Sequence, residues 1–127
     1  MATVREVMSS QLISVDPQTT VAEAATIMGG KHVGSALVMD GDRLAGIFTE
    51  RDIVRALGEH FDAAGHQVAN WMTVRPTTIG PDASTDEALD LMLRGGFRHL
   101  PVLEEDRVVG MLSLRDIAAA DSSTGHG

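Results

Sequence analysis

Thr49-Glu50-Arg51-Asp52-Ile53 returns as Ser113-Leu114-Arg115-Asp116-Ile117, and the offset of 64 positions (113 − 49) aligns nearly the whole chain with itself. Met8 falls on Met72, Pro17 on Pro81, Glu23-Ala24 on Glu87-Ala88, Met28 on Met92, Val38 on Val102 and Gly46 on Gly110. No gap is needed from Val4 to Ile53. Self-similarity of this kind means one fold unit used twice, so a site should appear in both copies or lie between them.

Working outward from the motif, each copy has the same order of elements. Leu12-Ile13-Ser14-Val15 is a short strand ended by Asp16-Pro17. Thr20-Val21-Ala22-Glu23 has capping-box spacing and predicts a helix running to Gly29-Gly30. Ser84-Thr85-Asp86-Glu87 repeats that start, and the second helix runs to Gly95-Gly96. The double glycines are offset by 66 (95 − 29), which predicts a second helix about half a turn longer.

Two apolar runs, Ala36-Leu37-Val38-Met39 and Leu44-Ala45-Gly46-Ile47-Phe48, flank Asp40-Gly41-Asp42-Arg43, a hairpin signal. Leu100-Pro101-Val102-Leu103 and Val108-Val109-Gly110-Met111-Leu112 are their counterparts, and Pro101 implies a strand edge or end. A last helix begins at Thr49 or Ser113, the first of them running to Gly58. Each unit therefore reads strand–helix–strand–strand–helix. The polar segment 59–67 joins the units, which gives repeats at 1–62 and 63–120 and a flexible tail at 121–127.

A chain of 127 residues suits one compact domain, and each half alone is near the lower limit for independent stability. Aromatic residues make up 3%, so the core must be built from Val, Ile, Leu, Ala and Met. A net charge of −8 argues against a nucleic-acid partner and against an anionic membrane surface. The chain has no cysteine, which removes disulfides, thiolate nucleophiles and Cys-ligated metals. No apolar run approaches the ~18 residues of a membrane span, and the polar start has no signal-peptide core. The expectation is a soluble, cytoplasmic protein.

The motif has two readings. In the first, Thr49 and Ser113 cap a helix, Asp52 and Asp116 close the capping box, and Arg51 and Arg115 are solvated. In the second, the cap follows a strand directly and presents N–H groups and positive dipole to a phosphate. The hydroxyl and the Arg add phosphate donors, and a carboxylate one turn in accepts from two sugar hydroxyls. By spacing alone the cap suffices. Repetition at one offset inside two matching units makes the motif more specific.

Val7-Met8 and Trp71-Met72-Thr73, Val15-Asp16-Pro17 and Ile79-Gly80-Pro81, Phe97-Arg98-His99-Leu100-Pro101-Val102, and the segments Gly46 to Asp52 and Gly110 to Asp116 carry a resemblance. Together they resemble cystathionine β-synthase (CBS) domains over roughly Thr3 to Ala119, and two in tandem resemble a stand-alone Bateman module. The resemblance implies an α/β fold of two β-α-β-β-α units about a pseudo-two-fold axis, sheets packed together and helices outside. It also implies regulatory binding of an adenosyl ligand (AMP, ADP, ATP, S-adenosylmethionine or NAD) in clefts between the copies.

Carried over by motif, Asp52 and Asp116 hold ribose, while Thr49, Arg51, Ser113 and Arg115 contact phosphate. Backbone at Ser14, Val15, Gly34, Ser35 and Ala36 surrounds one base, and backbone at Thr78, Ile79 and Arg98 to Pro101 the other. Copy two has Arg98-His99 where copy one has Gly34-Ser35, so the Asp116 site is expected to favour a phosphorylated ligand.

Other motifs lead nowhere further. Gly30-Lys31 lacks the glycine and hydroxyl of a phosphate loop, since Ala25 and His32 stand in those places. The five histidines have no metal-ligand spacing. Neither hydroxyl of the motif has a base beside it, so no nucleophilic site, enzyme activity or catalytic cofactor is expected. Ala24, Ala25, Ile27, Met28, Ala88, Leu89, Leu91 and Met92 exceed what one buried face requires, which predicts a homodimer. The leading reading is a nucleotide-sensing module that signals to an effector protein. The alternative is a ligand-independent dimerisation or interaction module whose motifs are only caps.

Overall fold

A computed structural model of the chain describes residues 2–121 in full and the helical backbone through 124. Among the described residues there are five α-helices, α1 (Val4–Val7), α2 (Val21–Lys31), α3 (Glu50–Glu59), α4 (Thr85–Gly95) and α5 (Leu114–Thr124), and six strands. The strands are β1 (Ser14–Val15), β2 (Ser35–Asp40), β3 (Arg43–Thr49), β4 (Thr73–Val74), β5 (His99–Glu104) and β6 (Arg107–Ser113). The α/β class agrees with the sequence, and in the first repeat so does the order β1-α2-β2-β3-α3.

The compact units do not follow the repeat boundary expected at 62/63. One unit is Ile13–Pro76, and the other is Met1–Leu12 with Thr77–Gly127. Each repeat's leading segment belongs to the unit formed by the other repeat's strands and helices. Backbone bonding accounts for this. In the first unit Val68 N–H donates to Thr19 at 2.8 Å and Val21 N–H to His66 at 2.9 Å. In the second unit Thr85 N–H donates to Ala2 at 3.0 Å and Val4 N–H to Ala83 at 2.8 Å.

In unit Ile13–Pro76 the sheet order is β1-β2-β3-β4. β1 runs parallel to β2, and β2, β3 and β4 are antiparallel neighbours. A bulge at Val38/Met39 lies just before a hairpin turn in which Gly41 takes φ of 63°. Val15, Val21, Ala24, Met28, Val38, Phe48, Ala56, Val68 and Trp71 make up most of the core. At the start of α2 the expected capping box is complete: Glu23 N–H donates to Thr20 Oγ1 at 3.1 Å, and Thr20 N–H donates to Glu23 Oε1 at 3.0 Å.

Helix α2 does not stop at Gly29-Gly30. It continues to Lys31 and is capped by His32 in the left-handed region at φ 57°. Helix α4 ends one place before Gly96, which takes φ 71° at the equivalent position. Both helices are 11 residues long, so the expected extra half turn in the second is absent. The termination follows the αL cap at the offset of 64, not the glycine pair.

In the other unit β5 and β6 repeat the hairpin, with a bulge at Val102/Leu103. Val4, Ile79, Ala88, Met92, Leu100, Val102, Leu112 and Ile117 form its core. Arg5 anchors the leading segment through Glu104 at 2.6 Å and Asp82 at 3.5 Å. Thr78-Ile79 is reduced from a strand to a bridge with Val102. Pro101 supplies the reason. Its counterpart Leu37 donates its N–H to Ile13 at 2.9 Å. Proline has no such donor, so that ladder bond is lost inside β5.

Of the eight apolar helix residues, some of which were expected to build a homodimer, Ala24, Met28, Ala88 and Met92 are core. Ile27 remains exposed. The expected tail at 121–127 is helical through Thr124, and 125–127 lie outside the described residues.

Candidate functional site

The strand ends bring the motif residues of each unit together. In Ile13–Pro76, Ser35 at the start of β2 pairs with Thr49 at the end of β3. Glu50 N–H, the first of α3, donates to the Gly34 carbonyl at 3.0 Å. Ser14 and Val15 flank the same end through the parallel pairing Ser14↔Leu37 and Val15↔Val38. Val15, Ser35 and Ala36 are buried, while Ser14 and Arg51 are exposed and Thr49 is half-buried.

The second unit repeats the arrangement. His99 pairs with Ser113, and Leu114 N–H donates to the Arg98 carbonyl at 2.8 Å. Thr78, Arg98 and Arg115 are exposed, and Ser113, His99 and Asp116 are half-buried. Pro101 and Ile79 are buried, and Ile79 N–H is bonded to the Pro101 carbonyl at 3.1 Å. Those two backbone groups are therefore engaged with each other.

Both motifs form the predicted caps. Ser113 N–H donates to Asp116 Oδ2 at 3.0 Å, and Asp116 N–H donates to Ser113 Oγ at 3.0 Å. Thr49 N–H donates to Asp52 Oδ2 at 2.9 Å, and the Thr49 hydroxyl donates to the same oxygen at 3.2 Å. A cap satisfies helix N–H groups without exhausting the carboxylate, because an ionised Asp has about four lone-pair positions.

The two carboxylates differ in what remains. Asp52 is 6% exposed, and its Oδ1 accepts from Arg55 Nη2 at 3.3 Å. The same nitrogen donates to the Trp71 carbonyl at 2.8 Å, and the guanidinium lies 5.0 Å from the Trp71 ring centroid. Trp71 Nε1–H in turn donates to His66 Nδ1 at 3.3 Å. At the position equivalent to Arg55 the second repeat has Ala119. Asp116 Oδ1 accordingly has no partner among the described residues.

Arg55, Trp71 and His66 were not singled out as site residues by the motif reading. The available signal was Arg55 three places after Asp52, a helical neighbour, set against Ala119 in the other copy. Trp71 packs in the core of Ile13–Pro76, consistent with a packing role at the start of the second repeat. Among the described residues no group of His, Asp or Glu is placed to hold a metal ion. No described helix is long and apolar enough to cross a membrane.

The CBS domain family model matches residues 4–59 and 68–123. An uncharacterised 17.7 kDa protein of Acidianus ambivalens is 38% identical over 123 residues, covering 94% of this chain and 74% of that protein. Among solved structures, CBSX2 in complex with AMP is 25% identical with a TM-score of 0.85, covering 98% of this chain and 99% of its own. The CBS domain pair of MJ0100, in complex with 5′-methylthioadenosine and S-adenosyl-L-methionine, is 25% identical with a TM-score of 0.87. That likeness covers 94% of this chain and 98% of the other.

Proposed function

Because this chain belongs to the CBS domain family, with one domain at 4–59 and a second at 68–123, we propose that it is a regulatory module that binds an adenosine-containing ligand. It reports occupancy to an effector protein and does not transform the ligand. AMP, methylthioadenosine and S-adenosylmethionine, the ligands of the two similar structures, share adenosine and differ in what the 5′ carbon carries. A site that reads adenosine needs a diol acceptor and groups suited to the 5′ substituent.

The observation that carries the proposal is Asp116 Oδ1, which has no partner among the described residues and lies one helical turn from Ser113. Two vicinal hydroxyls can donate to such a carboxylate while its other oxygen keeps the cap. Arg115 and Arg98, both exposed near the same strand ends, supply charge for a 5′ phosphate. AMP, ADP or ATP is therefore the preferred class at Asp116, with S-adenosylmethionine and NAD as the competitors to test. Ligand shifts the equilibrium between two states of the module only as far as it binds them unequally.

The second reading, a ligand-independent interaction module that dimerises, draws on the complete caps at Thr49 and Ser113. Thermal melting of wild type and Asp116→Ala with AMP, ADP, ATP, S-adenosylmethionine and NAD separates the two. A ligand at 100 times its Kd adds about 2.7 kcal/mol, several degrees for a chain of this size. A shift lost in Asp116→Ala supports nucleotide sensing. No shift with any ligand leaves the interaction module.

A further inference from the structure

The geometry points to Arg55 as a clamp that holds the Asp52 carboxylate closed and so makes the two nucleoside sites bind in sequence, Asp116 before Asp52. The inference rests on the adenosine-binding reading and deepens it by naming a residue that sets the order of occupancy.

Lone-pair accounting separates the two sites. Asp52 Oδ2 accepts from both the N–H and the hydroxyl of Thr49, and Oδ1 accepts from Arg55. Three of about four positions are thereby used. Among the described residues the Asp116 carboxylate accepts a single bond, from Ser113 N–H to Oδ2. A ribose diol presents two donors. Asp116 can take both as it stands, whereas Asp52 must first release Arg55.

Arg55 does not rest on Asp52 alone. One guanidinium nitrogen bridges Asp52 Oδ1 and the Trp71 carbonyl, and the guanidinium carbon lies 5.0 Å over the Trp71 ring. Trp71 is fixed by burial and by its bond to His66 Nδ1. A guanidinium with carbonyl, carboxylate and ring contacts is oriented more firmly than a lone surface ion pair. At half exposure it can still swing into solvent. That combination describes a displaceable clamp. Ala119 has no side chain able to do the same for Asp116.

The test is calorimetric titration of AMP into wild type, Asp116→Asn, Asp116→Asn/Arg55→Gln and Ala119→Arg. With Asp116 disabled, residual binding reports Asp52, and Arg55→Gln should strengthen it on the order of tenfold, the worth of one bond to a charged group. Ala119→Arg should weaken the first binding event of the otherwise native chain. Trp71, the sole tryptophan, should change its fluorescence as the second event proceeds and not during the first. Unchanged or weaker residual binding in the Arg55→Gln double variant overturns the clamp. So does a Trp71 response confined to the first event. Wild type taking up no AMP overturns the adenosine reading itself, and the clamp with it.

Discussion

A Cβ on Gly46 would stand 2.5 Å from the carbonyl oxygen of Thr73 and 2.9 Å from Met72 Sδ. At Gly110 the same atom would meet Met8 Sδ and the Ser9 carbonyl. The two glycines let the exchanged segments cross the middle of β3 and β6. Close backbone approach, not a turn, explains glycine in these strands.

Gly46→Ala and Gly110→Ala should each destabilise the chain, by about 1–3 kcal/mol, the usual cost of overpacking. The obstructing carbonyls are backbone and cannot rotate away. Chemical denaturation of each variant measures this. A change within ~0.3 kcal/mol would mean that the segments lift off the strands at little cost.

His32 occupies an αL position that Gly96 fills in the other unit. A non-glycine residue there costs roughly 1 kcal/mol. His32→Gly should therefore raise the melting temperature by about 4 °C, and Gly96→His should lower it. Differential scanning calorimetry of both variants checks the pair. Opposite signs are required.

Asp52→Asn and Asp116→Asn should differ in stability without ligand. An Asn at 52 must point its NH₂ either at the Thr49 N–H or at Arg55, both donors. The loss should be about 1–3 kcal/mol. At 116 the amide oxygen can keep the Ser113 bond while the NH₂ faces the open side, so the loss should stay below about 1 kcal/mol. Equal losses would refute the accounting of the two carboxylates.

The Thr20 N–H, and then its hydroxyl, holds the Glu23 carboxyl below its ordinary value of 4.5. A lowered folded-state value means that the ionised group stabilises the fold above pH 4.5, and that this is lost as pH falls through the lowered value. Melting of wild type and Glu23→Gln from pH 7 downward should show curves that separate at neutral pH and converge in acid. A separation independent of pH would remove Glu23 ionisation from the cap.

Much of this was legible in residues. The T/S-x-x-E and T/S-x-R-D spacings place α2, α3, α4 and α5, because a cap needs only local bonds between neighbours in sequence. The hairpins were legible because short apolar runs separated by a polar turn, Asp40-Gly41 in the first, act over short range. Arg55 escaped notice because its significance depends on Trp71, 16 positions away, whose carbonyl it meets only after the chain folds.

Taken alone, the sequence determined that one α/β unit is used twice and which residues begin each helix, since the offset of 64 and the caps are local or self-referential. Tertiary structure decided which segment completes which core. The leading segments 1–12 and 63–76 are sorted by backbone pairing at sheet edges and helix starts, and those edges are equivalent in the two copies. Nothing in a repeated pattern distinguishes a segment's own copy from its twin. Only packing and chain connectivity make that choice, and the same packing brings the Trp71 carbonyl to Arg55.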